Sequence, residues 1–140
     1  MTPELKEQLI KMGNTCNPFD NHNGLRVTDV GDGTAVVEVT LQTESLNSWG
    51  TPHGGLLFTL ADVACGMAAI SLRREAMVSV SASADFIAAA GGEGVIRAEG
   101  RVLRCGNKLC FCAAEIRDEG NTLLCRINVT MYFTGQPLTL

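Results

Sequence analysis

Apolar and polar residues alternate along this chain with two periods, and each change of period marks an element. Across residues 34–43, Ala35, Val37, Val39 and Leu41 alternate with Val36, Glu38, Thr40 and Gln42. That is the period of two expected of a strand with one buried face. Residues 24–31 read as a strand before it, and Gly31-Asp32-Gly33 between them is a hairpin signal. The period then lengthens. Leu57, Leu60, Ala61, Ala64, Met67 and Ala68 fall on one broad face of a helix, expected over residues 53–73, and Pro52 suits its entrance. Beyond it the period of two returns. Val78, Val80, Ala82, Ala84 and Phe86 lie opposite Ser79, Ser81, Ser83 and Asp85, and Ile96, Ala98, Gly100 and Val102 lie opposite Arg97, Glu99 and Arg101. Strands follow at 108–117 and 122–133, the last with Leu123, Cys125, Ile127, Val129, Met131 and Phe133 on one side.

Ahead of these strands, residues 2–12 read as a short amphipathic helix within an N-terminal segment 1–13, with Leu5, Leu9 and Ile10 as its apolar side. The next stretch, GNTCNPFDNHNG, is full of turn formers and reads as a loop. One-faced strands need a cover, and the central helix is the only large apolar element available. The expected fold is therefore α+β. An antiparallel sheet of five or six strands wraps around one long central helix, in a single domain spanning 1–140 with no internal repeat.

Composition narrows the setting. At 140 residues the chain can build a real core. Asp62 interrupts the longest apolar run before it reaches the ~18 residues of a membrane span. The opening MTPELKEQLIKMG is charged throughout and lacks the apolar centre of a signal peptide. The expectation is a cytoplasmic protein with no membrane partner. A formal charge of −4 without a basic stripe argues against a nucleic-acid partner. The six cysteines read as free thiols. Cys110 and Cys112 share a strand face with Cys105 nearby, but there is no CxxC pair and there are only two histidines, so no metal and no cofactor are expected. Arg97, Arg101, Arg104 and Lys108 lie close together in sequence. They form either a patch for an anionic ligand or, for Arg97 and Arg101, an ordinary solvated strand face.

The chemistry concentrates between Asn47 and Ala69. Gly54 and Gly55 leave the first N–H groups of the helix uncovered by side chains, and such an end attracts negative charge. It suits a carbonyl oxygen on its way to an oxyanion. Asp62 is the one carboxylate inside the helix. Gly54 and Asp62 are eight residues apart, roughly 12 Å along a helix. A reacting atom must lie about 3 Å from both its donor and its base or nucleophile. One chain cannot satisfy both, whereas two antiparallel helices from two subunits can. If both groups act in one reaction, the site lies at a two-fold interface and occurs twice. The small residues Ala61, Ala64, Gly66 and Ala68 permit close helix approach. Each member alone has a plainer reading: Asp62 as an exposed helix residue, His53 as a turn cap, Gly54 and Gly55 as turn glycines, Asn47 as a loop residue, Ser79 as the polar side of a strand. It is the combination that points to a site.

The run N-x-x-G-x-x-H-G-G followed by F-x-L-A-D-x-A, carried here by Asn47, Gly50, His53, Gly54, Gly55, Phe58, Leu60, Ala61, Asp62 and Ala64, resembles the hotdog-fold acyl-CoA thioesterases of the phenylacetyl-CoA (PaaI-like) type. Asn17-Pro18-Phe19 with His22 and Gly24 is similar to that family's opening segment, and Arg104-x-Gly106 and Asp118-x-Gly120 match its later turns. The resemblance implies an acyl-CoA substrate, with an aryl-acetyl or medium-chain acyl group. It implies that the Gly54 N–H polarises the thioester carbonyl and that Asp62 of the partner subunit is either the nucleophile or the base that activates water. Asn47 and His53 would hold the loop and help position the thioester or water, and Ser79, or else Ser81, would assist the carboxylate. Arg104, Asn107 and Lys108 are candidates for the CoA phosphates by position. Leu56, Leu57, Phe58, Phe86 and Ala88-Ala89-Ala90 are candidates for the acyl pocket, and the alanines replace a proline-containing turn usual there. A homodimer is implied, often paired into a tetramer. Two other activities on the same scaffold compete: a hydroxyacyl dehydratase pairing His53 with Asp62, and an acyl-CoA sensor without turnover.

Overall fold

The computed structural model describes residues 1–140. Helix α1 (Pro3–Thr15) opens with Thr2, whose hydroxyl accepts the Leu5 N–H, and with Pro3 in the first turn. Leu9 buries its apolar side. The stretch expected as a loop contains a short helix, α2 (Pro18–His22). Pro18 starts it after an extended Asn17, and one helical turn is too short to leave a periodic signature.

The strands are β1 (Arg26–Gly31), β2 (Thr34–Thr40), β3 (Glu75–Phe86), β4 (Val95–Cys105), β5 (Leu109–Arg117) and β6 (Leu123–Pro137), and the long helix is α3 (Gly54–Leu72). All pairings are antiparallel, in the order β1-β2-β4-β5-β6-β3. This six-stranded sheet around α3 is the expected hotdog architecture. By length and a mean hydropathy of 1.8, α3 is apolar enough to cross a membrane. Here its apolar side, including Leu60, Ala64, Cys65 and Ala68, is packed into the core.

The helix lies unusually close to the sheet, because the residues beneath it are small. Ala35, Gly100 and Ala114 stand side by side on β2, β4 and β5. A Cβ on Gly100 would fall 2.6 Å from the Ala64 carbonyl carbon and oxygen and 2.9 Å from the Cys65 nitrogen. Backbone cannot yield there as a flexible side chain would. Gly100→Ala is expected to lower stability by about 1–3 kcal/mol or more, the range of overpacked cores. The denaturant midpoint checks this, and an unchanged midpoint would refute the close seating.

Strand β3 departs from expectation. Its alternation suggested one buried face, yet Val78, Val80 and Phe86 are all more than half exposed. Two features account for this. β3 is a sheet edge with β6 as its only neighbour, and its register slips between Ser79 and Ser81. Before the slip, Met77 and Ser79 oppose the buried Phe133 and Met131; after it, Ala82 and Ala84 oppose the buried Val129 and Ile127. The bulge turns Val78 and Val80 outward, whereas Phe86, opposite the buried Cys125, keeps the inward side and is exposed at the end of the edge strand beside Gly54.

Candidate active site

The start of α3 is built by the loop before it. The Asn47 side-chain oxygen accepts the N–H groups of Trp49 (2.9 Å) and Thr51 (3.2 Å), and the His53 N–H donates to the Ser45 carbonyl at 2.9 Å. Gly50 takes the left-handed backbone that closes this turn, with φ of 74°. His53 then caps the helix, its Nδ1 accepting the Gly55 N–H at 2.8 Å. This is the capping role that the sequence offered for His53, and it narrows the two exposed glycine N–H groups to one. Gly55 is capped, and Gly54 is left with an N–H that finds no acceptor within the chain. A hollow of about 310 Å³ opens at this point, lined by Leu57, Phe86, Ala88 and Ala89. The Phe86 ring stands 3.4 Å from where a Cβ of residue 54 would be.

Further along the same helix is a second feature. The Ser79 hydroxyl donates to Asp62 Oδ1 at 2.6 Å. Of the two serines, it is Ser79 whose hydroxyl reaches Asp62, and the bulge in β3 is responsible for that placement. Asp62 and Ser79 line a cleft of about 240 Å³ with Met77, Met131 and a residue the sequence reading passed over, Asp20 of α2. Asp20 is only 7% exposed and is the one charged residue buried in the chain. Burial, and then the neighbouring Asp62 charge, push its carboxyl above the ordinary 3.8, with the Asn17 side chain pulling it partly back. The signal that could have found it was an acidic residue set among the turn formers of N-P-F-D-N-H.

A raised pKa has a consequence for stability. The folded state then holds the Asp20 proton more tightly than the unfolded chain does. This contribution is fully present below pH 3.8 and is lost as pH rises through the higher folded value. Asp20→Asn removes the burden of the ionised form. The variant is expected to melt above wild type at pH 7, with the gap closing toward pH 4. Thermal melts across that range check it, and a variant less stable than wild type at pH 7 would contradict it.

The Gly54 hollow and the Asp62 cleft share no lining residue, so a single chain does not bring these groups together. Arg104, Asn107 and Lys108 lie at the end of β4 and in the β4–β5 turn. Arg73, just past the end of α3, ties that turn down by donating to the carbonyls of Gly106 (3.0 Å) and Asn107 (2.7 Å). They therefore sit at the opposite end of α3 from Gly54, and the Lys108 ammonium lies 5.8 Å from the centre of the Tyr132 ring. Arg97 is engaged with Glu38 (3.1 Å) and Glu99 (3.0 Å), which leaves the plain reading for that residue. All six cysteines are free thiols. Cys110 and Cys112 are buried with their sulfurs 3.7 Å apart, and no three His, Cys, Asp or Glu side chains are grouped to hold a metal ion.

Comparison with known proteins bears on this arrangement. The thioesterase superfamily profile matches residues 50–125, which include Gly54, Asp62 and Ser79. Human acyl-coenzyme A thioesterase 13 is 31% identical over 123 residues, covering 85% of this chain and 86% of its own. A hypothetical thioesterase of Streptococcus pneumoniae, solved with coenzyme A, is 30% identical with a TM-score of 0.79, covering 85% of this chain and 94% of that one. The PaaI protein of the Escherichia coli phenylacetic acid degradation operon superposes with a TM-score of 0.87 at 22% identity, over 96% and 99% of the two chains, and shares the fold.

Proposed function

The chain belongs to the thioesterase superfamily and is a thioester hydrolase, and we propose that it hydrolyses acyl-CoA at two composite sites formed between two copies of itself. The observation that carries this reading is the division of labour along α3. A free N–H at Gly54 and a serine-held carboxylate at Asp62 open into separate hollows of one chain. Two antiparallel copies of α3 would set each against its complement. The unpaired edge of β3, with Val78 and Val80 exposed on it, is the natural seam for such a pair. A tetramer would be two such dimers.

In this reading the thioester carbonyl oxygen accepts the Gly54 N–H at the positive end of the helix. Asp62 from the other copy either attacks the carbonyl carbon, giving an anhydride, or takes a proton from the attacking water. Ser79 occupies Asp62 Oδ1 and leaves Oδ2 for that work. Asn47 and His53 hold the loop that presents Gly54. Arg104, Lys108 and the Asn107 side chain take the CoA phosphates. Leu57, Phe86 and the Ala88-Ala89 backbone favour an apolar acyl group, aryl-acetyl or medium-chain. The whole of 1–140 acts as one domain, in the cytoplasm, where free thiols persist. A dehydratase would need the His53 ring as a base, but with Nδ1 accepting the Gly55 N–H the ring proton sits on Nε2, so neither nitrogen has a lone pair free to take a substrate proton.

Thiol release from a panel of acyl-CoAs tests the reading. Phenylacetyl-CoA and octanoyl-CoA should turn over faster than acetyl-CoA or succinyl-CoA. Binding without thiol release from any member would replace hydrolysis with sensing.

A further inference from the structure

Asp20 is not used by the mechanism above, although it lines the same cleft as Asp62. Burying a carboxyl is costly unless something compensates, and no cation pairs with this one. Its nearest charged influence is another carboxylate, Asp62. Burial, and then the Asp62 charge beside it, favour the protonated form of Asp20. Asp62, by contrast, accepts the Ser79 hydroxyl and works as an acceptor. A buried carboxyl without a cation, beside one that accepts a hydrogen bond in the same cleft, can divide the acid and base work between them.

We propose that Asp20 is a second catalytic carboxyl of this cleft, handing its proton to the departing CoA sulfur while Asp62 takes one from the attacking water. The inference rests on the thioesterase reading and on its general-base route. Water's oxygen bonds to the thioester carbon as Asp62 takes its proton, and the carbonyl oxygen becomes the oxyanion at the partner's Gly54. When the oxyanion re-forms C=O, the C–S bond breaks with its electron pair on sulfur, and sulfur takes the Asp20 proton. The acid and the thiol leave. The proton on Asp62 then passes to Asp20, and the cleft again holds one proton between two carboxyls. The sum is thioester plus water giving acid plus thiol.

The leaving group provides the test. A CoA thiolate benefits from protonation as it departs, whereas an aryl thiolate, from a far more acidic thiol, leaves without help. Asp20→Asn keeps shape and removes the proton. Its kcat on an acyl-CoA should fall about a hundredfold, the low end for a positioned acid. On the thiophenyl ester of the same acyl group, the fall should be within about threefold. Asp20→Glu, which restores a carboxyl, should recover a good part of the acyl-CoA activity. Equal losses on the two esters, no loss on either, or Asp20→Glu no better than Asp20→Asn would overturn the assignment. Misfolding is excluded by the same variant's melt, expected at or above wild type at pH 7. A wild type that hydrolyses no thioester would remove the thioesterase reading itself. A wild type that hydrolyses acyl-CoA beside an equally active Asp20→Asn would remove this inference alone.

Discussion

Asp62→Asn removes thioester hydrolysis and leaves fold and assembly in place. Asparagine has the size of aspartate, and its amide oxygen can still accept the Ser79 hydroxyl that now reaches Oδ1 at 2.6 Å. What it loses is basicity and nucleophilicity. The expected fall in kcat is about 10²–10⁴-fold if Asp62 acts as a base, and larger if it attacks the carbonyl itself. Thiol release measures the loss, while circular dichroism and sedimentation measure the fold and the oligomer. Near-normal activity would remove Asp62 from the mechanism. Label on Asp62 after one turnover in ¹⁸O-water would identify direct attack, through an anhydride opened at the Asp62 carbon; a water activated by Asp62 leaves label only in the product acid, as does an anhydride opened at the acyl carbon.

The sequence made α3 plain because nineteen residues of helical period leave little room for another reading. The strands were legible for the same reason, down to Gly100 facing inward with Ala98 and Val102. What escaped was whatever does not repeat. A single helical turn at Pro18–His22 has no period, so no alternation marked Asp20 as buried. Ser79 was picked out as the match to a family position, but strict alternation would have turned it outward; one slipped residue in β3 directs it at Asp62. His53 as a turn cap was legible, but that its Nδ1 takes the Gly55 N–H is a matter of one side-chain rotamer, and it narrows two apparent donors to one. The β3 apolar residues follow a core pattern yet are exposed in the single chain. Period reports that a face is to be covered, and it is silent on whether the cover comes from the same copy.

Gly54→Pro is expected to lower kcat about 10²–10³-fold, the loss associated with one oxyanion donor, without disturbing the helix. Residue 54 is the first of α3, where a proline's missing N–H costs no helical hydrogen bond. His53 before it is already extended, with ψ of 137°, as a residue preceding proline should be. The Gly55 N–H keeps its bond to His53, so the cap survives. Thiol release from the best substrate of the panel measures the loss, and the melting temperature confirms the fold. The stronger experiment mixes this variant with Asp62→Asn. Each alone is nearly dead. In a mixed dimer, one site receives intact Asp62 from the Gly54→Pro chain and intact Gly54 from the Asp62→Asn chain, and the other site receives neither. Random exchange of subunits in a two-fold dimer should therefore restore about one quarter of wild-type activity. If the reaction ran within single chains, mixing two inactive chains would restore nothing, because no chain in the mixture would carry both groups.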